Sequence, residues 1–531
     1  MAGAKLGHKF PVVSVPMSTF GSMGWIAERW GARANIAPKA QDLLRYVLQS
    51  MVEDDRPDAV VFTHLGWRKI GDFWAYLHAD GAVGSDNVET EINSRLAGYN
   101  LPQDDGVGVD IAEALKTSLA LLKVGKEEIT YPLLALTYLA PLCDPLTRAG
   151  REPGFATFMV GATGSLKSTT AALFLSHFGH FEGKGLPASF RDTALSIEMM
   201  AFLAKDTILA IDDLYPPQNP REKARLESTL EYLTRSQGDR QGRGRLQSDI
   251  KLRTGNPPRG LALCTGEEMN LAPGSSYYRL LLLPLKDGDI DQEALTEAQD
   301  EADLLPVAMK GYLECLAPQM EDAPAHLRED FDSFRAKASG LSTVEDKHRR
   351  LDEVVAHLAL GFMSLARYAI EVGVWDEETA KEEMEKAFAI FVKITDSQAL
   401  TTSESDPVNR FFNGLRELLA VGKVYLASMD DEKLEDVSPG AEKVGWGPDE
   451  DGMVFLSLSS ALEKVKTLLR GADEPLMISS NSLLDLMEVR EIVKRVSKDE
   501  SRRLVQKKIA KKKQRVLPIH QTIIFGEVED E

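Results

Sequence analysis

The chain has 531 residues, of which 43% are hydrophobic and 27% charged, a composition typical of a soluble globular protein with several domains. Its formal net charge of −20 excludes a uniformly positive surface, although a local channel can still carry cations. The three cysteines are far apart and form no CxxC pair, which argues against a disulfide framework or a zinc site. No apolar run approaches about 18 residues and no charged-then-apolar leader begins the chain, so we expect a cytoplasmic protein without a membrane anchor.

Residues 1–110 predict a small mixed α+β N-terminal domain. Helical patterns come first, and the aromatic-rich run THLGWRKIGDFWAYLHADGAVG then predicts a hairpin with Gly71 between its strands. Trp67, Trp74 and Tyr76 lie in this hairpin. Such residues more often form strand-packing core than a platform on which nucleic-acid bases stack.

Residues 111–290 predict an α/β core. The short apolar strand FATFMVG at 155–161 runs into VGATGSLKSTT, and a helix follows. Two further strands, DTILAIDD at 206–213 and GLALCT at 260–265, alternate with helical patterns. Strands that alternate with helices indicate a parallel sheet.

The stretch VGATGSLKSTT fits the phosphate-binding loop G-x-x-x-x-G-K-[ST], except that Leu166 replaces the second glycine. Such a loop wraps phosphate with backbone N–H groups at a helix N-terminus, while its lysine neutralises the β and γ oxygens. Leu166 can take part provided that its position needs no positive φ and its side chain points away from the nucleotide. We assign ATP binding to Gly161, Ala162, Thr163, Gly164, Ser165, Leu166, Lys167, Ser168 and Thr169.

Two acids end the strand ILAIDD, 45 residues after Lys167. Open α/β sheets place their ligand chemistry at the carboxyl ends of the strands. We therefore expect Asp212, with Ser168, to hold Mg²⁺, and Asp213 to polarise the attacking water. Thr265 ends the following strand, where a polar side chain can sense the γ-phosphate; the other interpretation is an ordinary turn residue.

The remaining chain predicts a charged helical region at 291–400 and a C-terminal module at 401–531 that resembles a winged helix. Within the module, residues 500–515 hold eight Lys or Arg against one acid. This segment would favour phosphate or an acidic neighbour, and a solvated basic helix is the other interpretation. Its cations are Arg502, Arg503, Lys507, Lys508, Lys511, Lys512, Lys513 and Arg515.

The order of these motifs resembles that of AAA+ ATPases, including superfamily 3 helicases. More closely, it is similar to the helicase-type proteins of bacterial mobile elements and prophages, which are often fused to or encoded beside a primase-polymerase. The stretches that carry the likeness include GATGSLKSTTAALFLSHFG, LPASFRDTALSIEMMAFLAKDTILAIDD and SSYYRLLLLPL. That family uses a G-x-x-G-S-x-K-[ST] loop, which tolerates a residue such as Leu166.

The resemblance implies an ATP- and Mg²⁺-dependent DNA helicase or translocase that forms a hexameric ring and serves replication of a mobile element or phage. It carries Lys167, Asp213 and Thr265 into catalytic roles and suggests Arg279 as an arginine finger that reaches the γ-phosphate of a neighbouring subunit. An Arg at a strand start is otherwise an ordinary surface residue. Asp213 departs from the family, since most AAA+ proteins have glutamate there.

In superfamily 3-like helicases a hairpin between these motifs enters the central channel and follows the DNA backbone. The corresponding interval, residues 234–260, is rich in arginine and glycine. An exposed charged loop is the other interpretation. The expected DNA contacts are Arg240, Arg243, Arg245, Lys251 and Arg253.

Two other classes of function stay open. One is a nucleotide-switched assembly ATPase that binds DNA or a replication partner, such as a separate primase-polymerase, without unwinding. The other is a P-loop small-molecule phosphotransferase, which would need neither DNA nor a ring.

Overall fold

The computed structural model describes residues 4–5, 8–51, 60–85, 88–103, 110–242, 245–246, 252–253, 255–267, 276–344, 347–430, 437–471, 476, 478–489, 492–493, 504–509 and 512–525. The chain divides into two compact units, Met1–Val61 and Phe62–Glu531.

The first unit is a small, mainly helical body. Short strands Ala4–Lys5 and His8–Lys9 pair antiparallel, and helices span Met17–Phe20, Trp25–Trp30 and Gln41–Ser50. Aromatic rings supply its core. Phe10 stacks on Trp30 with 5.0 Å between the ring centroids, and Phe20 stacks on Trp25 at 6.0 Å.

The second unit is built on a five-stranded parallel sheet, which confirms the predicted α/β class. Its strands are β1 (Ala156–Val160), β2 (Ala188–Ser189), β3 (Ile208–Leu214), β4 (Leu261–Gly266) and β5 (Leu280–Pro284), in the spatial order β5-β1-β4-β3-β2. Every neighbouring pair is parallel, so all the carboxyl ends meet at one edge. The strands read as nearly unbroken apolar runs because helices cover both faces of such a sheet.

Three helices connect the strands. They are α1 (Lys167–Leu175) after β1, α2 (Ala194–Leu203) before β3, and α3 (Pro220–Asp239) after β3. Further helices pack around this layer, and their bounds are Ile111–Ala120, Glu127–Leu139, Cys143–Arg148, Gln292–Asp300, Leu305–Leu316, Ala323–Leu341, Arg349–Glu371 and Glu377–Ser405.

A single hydrophobic core holds these elements together. Its buried residues range from Leu65 to Ile394 and include residues on both sides of the predicted boundaries at 110 and 290. Helix Arg349–Glu371 is long and apolar enough to cross a membrane by length and composition, but 72% of its apolar window is buried inside the protein. It is therefore a central core helix in this fold.

The aromatic hairpin that the sequence predicted is present, with strands Gly66–Ile70 and Phe73–His78 followed by Gly81–Val83. Trp67 is only 1% exposed, and its Nε1 donates to the Pro141 carbonyl at 2.9 Å. Tyr76 is also buried. The packing interpretation of these two rings is confirmed.

The C-terminal module has its own core, which runs from Val408 to Ile524. Its helices are Pro407–Ala420, Leu458–Leu468, Ser480–Val489 and Gln521–Phe525. Its strands are β6 (Val424–Ala427), β7 (Glu442–Trp446), β8 (Met453–Leu456), β9 (Val505–Ile509) and β10 (Lys512–His520), in the order β6-β7-β8-β10-β9.

The strands β9 and β10 correct one interpretation of the sequence. The basic segment is an antiparallel hairpin at the edge of this sheet, not a solvated basic helix. Arg502, Arg503 and Lys511 lie outside the described residues.

A buried carboxylate fixes the aromatic hairpin to the core. The side chain of Asp206 accepts a hydrogen bond from the Trp67 N–H at 2.9 Å and pairs with the Lys205 ammonium, while its carbonyl accepts from Tyr76 Oη at 2.7 Å. Burial raises the pKa of Asp206 to about 6, although the charge of Lys205 acts in the opposite direction.

Asp206 predicts a specific dependence of stability on pH. Its pKa in the folded state lies above the value of about 3.9 expected in the unfolded chain, so the folded state binds the proton more tightly and gains stability as pH falls from about 6 to about 4. The comparison uses the free energy of unfolding of the wild type minus that of Asp206→Asn, measured at each pH. This difference should be larger at pH 4 than at pH 7 by on the order of 2 kcal/mol. Urea denaturation of both proteins at the two pH values measures this, and an equal difference at both would contradict it.

Candidate functional site

The loop between β1 and α1 lies at the carboxyl edge of the sheet. Gly161 is required by close packing, because a Cβ there would lie 2.2 Å from the Leu285 carbonyl oxygen. Ala162, Thr163 and Gly164 are exposed, and Gly164 has a φ of +88°. Ser165 is buried, and its Oγ donates to the Ala162 carbonyl at 2.8 Å. The loop thus has a fixed base and a solvent-facing rim that a ligand can reach.

Leu166 adopts a left-handed backbone, with φ +63° and ψ +16°, at the N-cap of α1. The sequence-based prediction that leucine fits here because the position needs no positive φ is therefore wrong: the position does have a positive φ. An L-residue with a side chain costs about 1–2 kcal/mol more than glycine in this region. The Leu166 side chain packs against the hydrophobic core, which offsets part of that cost.

The first turn of α1 is left open to an anion. Leu166 provides no side-chain cap, and no acid occurs in that turn. Helix N-termini carry N–H groups without intrahelical partners and attract negative charge. Ser168 and Thr169 are both half-buried in this turn.

The Lys167 side chain points back toward the base of the loop. Its Nζ donates to the carbonyls of Gly161 and Ala162 at 2.7 and 2.8 Å and to Ser165 Oγ at 3.1 Å. Burial lowers the pKa of this ammonium, while the carboxylates of Glu267 and Asp212 act in the opposite direction. A positive charge therefore lies directly beneath the loop that would hold phosphate.

Asp212 brings three segments together at the sheet edge. Its Oδ1 accepts a hydrogen bond from Ser168 Oγ at 2.6 Å and another from Thr265 Oγ1. Thr265 is 1% exposed and also accepts from the Asp213 N–H at 3.3 Å. This contact arises because β4, which carries Thr265, lies between β1 and β3.

Asp213 is held differently from Asp212. It has a φ of +65°, and its Oδ2 pairs with Arg191 Nη2 at 2.8 Å. The guanidinium of Arg191 also lies 5.6 Å from the ring centroid of Tyr215. No sequence pattern indicates this role for Arg191, because it follows β2, the strand at the far end of the sheet order.

Glu267 is a second acid that the sequence analysis did not assign. It directly follows β4, its N–H donates to the Leu214 carbonyl at 2.9 Å, and its Oε1 accepts from Thr163 Oγ1 in the loop. The available signal was its position two residues after Thr265 at the same strand end. Glu267 and Asp213 are therefore both candidates for the group that polarises water.

Arg279 lies at the amino ends of the strands, opposite the carboxyl ends that hold the loop. It precedes β5, and Leu280 pairs with Ala156 at the start of β1, so Arg279 is about 16 Å below the loop along the strand direction. Its Nη2 pairs with Asp239 Oδ1 at 2.9 Å, and Arg350 pairs with the same oxygen at 3.3 Å. Two guanidinium groups thus share one carboxylate at this edge. Together they lower the pKa of Asp239, whereas its burial alone would raise it.

The expected DNA contacts separate into three groups. The Arg240 guanidinium is turned inward: its Nε donates to the Pro153 carbonyl at 2.6 Å, its Nη1 donates to the Gly260 carbonyl at 2.6 Å, and its Nη2 is buried. Arg240 is therefore not placed to contact phosphate, although the residue as a whole is partly exposed. Arg243 and Lys251 lie outside the described residues.

Arg245 and Arg253 lie in short antiparallel strands, Arg245–Leu246 and Leu252–Arg253. The register pairs the two arginines directly with each other. A hairpin therefore occupies the predicted interval.

Comparisons with known proteins place this fold. A family model described as a domain of unknown function, DUF927, matches residues 30–226, which include Lys167 and Asp212 but end before Thr265. A solved structure described as "SCCmec type IV Cch - active helicase" is similar over 98% of this chain and 91% of that chain, with a TM-score of 0.60 and 14% sequence identity. No curated protein matches the sequence. The chain shares the fold of that helicase.

The left-handed backbone at Leu166 predicts an unusual order of stabilities. Leu166→Val keeps more apolar surface than Leu166→Gly, but a β-branched residue is disfavoured at positive φ. We expect the glycine variant to be the more stable of the two by about 1 kcal/mol. Chemical denaturation measures the difference.

Leu173, which is 2% exposed inside α1, provides the matched control. There the backbone is helical, so Leu173→Val should be more stable than Leu173→Gly. The same order at both positions would contradict the proposed backbone strain at Leu166.

Proposed function

We propose that the chain is an ATP-dependent DNA helicase or translocase that works as a hexameric ring in the cytoplasm during replication of a mobile element or phage. The observation that carries this proposal is the contact of Ser168, Asp212 and Thr265 beside Lys167 at the carboxyl edge of a parallel sheet. The fold that the chain shares with a helicase supports it.

The residues present fit a magnesium ion. Ser168 Oγ donates its proton to Asp212 and keeps its lone pairs, and Asp212 supplies carboxylate oxygen, the ligand type that Mg²⁺ prefers. When bound with ATP, the ion would neutralise charge on the β- and γ-phosphates. Lys167 would give up its bonds to the loop carbonyls and donate to phosphate, and the N–H groups at the start of α1 would orient the same oxygens.

Hydrolysis also needs a group that orients water. Asp213 is the candidate that the sequence indicates, and its ion pair with Arg191 holds its carboxylate at the edge of the site. Glu267 is longer by one methylene and contacts the loop through Thr163. Thr265 would report the state of the site to the backbone of β3, because it joins the Asp212 side chain to the Asp213 N–H.

DNA would contact the hairpin that contains Arg245 and Arg253. Each of the two described strands carries an arginine, the residue type that suits phosphate contact. Contacts of this kind carry no base sequence information, which suits a protein that moves along DNA. A separate primase-polymerase would be a partner of the ring.

Arg279 would act between subunits rather than within one. It lies at the opposite sheet edge from its own loop, and its ion pair with Asp239 holds the side chain there. An arginine that reaches the γ-phosphate of a neighbour makes hydrolysis depend on assembly.

Lys167→Ala tests the site assignment. Loss of the ammonium beneath the loop should reduce the rate of ATP hydrolysis at least about 100-fold, because transition-state charge on the phosphate is no longer neutralised. Phosphate release with and without DNA measures this. Lys184→Ala, at an exposed lysine after α1, is the control and should keep wild-type turnover.

Retained hydrolysis in Lys167→Ala would reject the nucleotide site. Strand displacement on a forked duplex separates the remaining classes of function. DNA-stimulated hydrolysis without unwinding on any fork favours the assembly ATPase. Hydrolysis by a monomer with no DNA stimulation favours the phosphotransferase.

Mixing two inactive variants tests whether sites are shared. Arg279→Ala subunits keep the loop, and Lys167→Ala subunits keep the arginine, so mixed rings should regain part of the hydrolysis that each variant lacks alone. Turnover measured across mixing ratios shows this as a maximum at intermediate composition. A straight line between the two pure variants would reject the role of Arg279 between subunits.

A further inference from the structure

The β9–β10 hairpin presents two faces of different chemistry. Directly opposite residues in an antiparallel pair point to the same side, and successive residues point to opposite sides. The register pairs Lys508 with Lys513 and Gln506 with Arg515, which defines an outward face. The other side packs in a small cluster, whereas Leu517 and Ile519, farther along β10 on the same side as Lys513 and Arg515, lie in the main core of the module.

The inward face anchors the hairpin. Ile509 and Val516 are buried at 2% and 1% exposure in a cluster with Trp446 and Phe455. Val505 packs against the same cluster. The hairpin is therefore held firmly on the sheet, and its outward side chains have a defined spacing.

A lysine on the inward side receives a partner from the protein itself. Lys507 Nζ donates to Asp449 Oδ2 at 3.0 Å and lies 3.5 Å from the ring centroid of Phe455. This hydrogen bond lowers the pKa of Asp449. Lys507, which packs against the sheet, thus has a carboxylate partner within the protein.

The cations on the outward face differ from Lys507 in exposure and in charge pairing. Lys508, Lys513 and Arg515 are all exposed, and within the described part of the chain no carboxylate pairs with any of them. Like charges opposite each other weaken a strand pair, so packing gives no reason for Lys508 to lie beside Lys513. Such a cluster on a chain with a net charge of −20 points to an external anion.

We propose that the outward face of β9–β10 binds the phosphate backbone of duplex DNA, as a second DNA contact apart from the hairpin of Arg245 and Arg253. Proteins that bind single strands combine cations with aromatic rings on which bases stack. The outward residues are Gln506, Lys508, Lys513 and Arg515, which include no aromatic ring. Lysine and arginine on a rigid ribbon suit phosphate oxygens spaced along a duplex.

This inference shares with the proposed function only the choice of DNA as the partner. Duplex binding by β9–β10 needs neither ATP nor Lys167. It can therefore fail while ATP hydrolysis succeeds, and the reverse is equally observable.

The salt dependence of binding tests the proposal in the full-length chain without nucleotide. Each phosphate contact contributes about 0.9 to the slope of log K against log salt for duplex DNA. The triple variant Lys508→Gln, Lys513→Gln, Arg515→Gln should therefore reduce the slope by about 2 to 3 and the affinity at moderate salt at least about 10-fold. Fluorescence anisotropy of a labelled blunt duplex, measured over a range of KCl concentrations, gives both values.

A control variant removes the same charge from elsewhere. Lys116, Lys184 and Lys381 are exposed on helices or loops outside the C-terminal module, and changing all three to Gln should leave the slope within about 0.5 of wild type. An equal decrease of the salt slope in both triple variants would show a general charge effect and overturn the proposal. An unchanged slope in the hairpin variant would also overturn it and would leave an acidic protein as the partner of this face.

Two further measurements separate the remaining outcomes. If the triple variant lost more affinity for a single-stranded oligonucleotide than for the duplex, the assignment to duplex DNA would be overturned. In the wild type, duplex should protect Lys508 and Lys513 from acetylation, as read by mass spectrometry, while Lys116 stays reactive. Equal reactivity of the three lysines with and without duplex would overturn the proposal even if the variant failed to fold.

Discussion

A single oxygen atom, Asp212 Oδ1, joins the parts of the candidate site. It accepts from Ser168 on α1 and from Thr265 on β4, so the helix after the loop and two strands of the sheet meet at one carboxylate. The contact depends on the order of the sheet, which places β4 between the strand before the loop and the strand that carries Asp212. An order in which β3 and β4 were not neighbours would place Asp212 and Thr265 at least two strand spacings apart, about 10 Å.

Two residues beside this carboxylate have unfavourable backbones. Leu166 and Asp213 have φ values of +63° and +65°, and neither is glycine. Each such residue costs on the order of 1–3 kcal/mol and persists only when its surroundings fix it. Here the surroundings are visible: the Leu166 side chain packs on the core, and the Asp213 carboxylate pairs with Arg191. The site is therefore held in shape by long-range packing rather than by local preference.

Features that depend on local sequence patterns could be predicted, whereas contacts between residues far apart in the chain could not. Buried parallel strands are apolar runs, so FATFMVG, ILAIDD and GLALCT indicated the sheet and the edge at which Asp212 and Thr265 lie. The φ of Leu166, the Arg191–Asp213 pair and the contact of Glu267 with Thr163 depend on residues far apart in the chain, and no local pattern signals them. Arg240 looked like a free cation among glycines, but its guanidinium is bound by carbonyls that the fold brings to it. In the basic segment, lysines on both faces hid the alternation of a strand.

The separation of Arg279 from the loop, about 16 Å along the strands, has a consequence for the symmetry of any assembly. A twofold dimer joins the same patch of each copy, so it would have to contain both edges of the sheet in one self-complementary surface. Under the proposed function, subunits instead join head to tail, with the Arg279 edge of one against the loop edge of the next. A closed ring then has as many complete sites as subunits, whereas an open chain always has one fewer, so ring closure itself adds a working site.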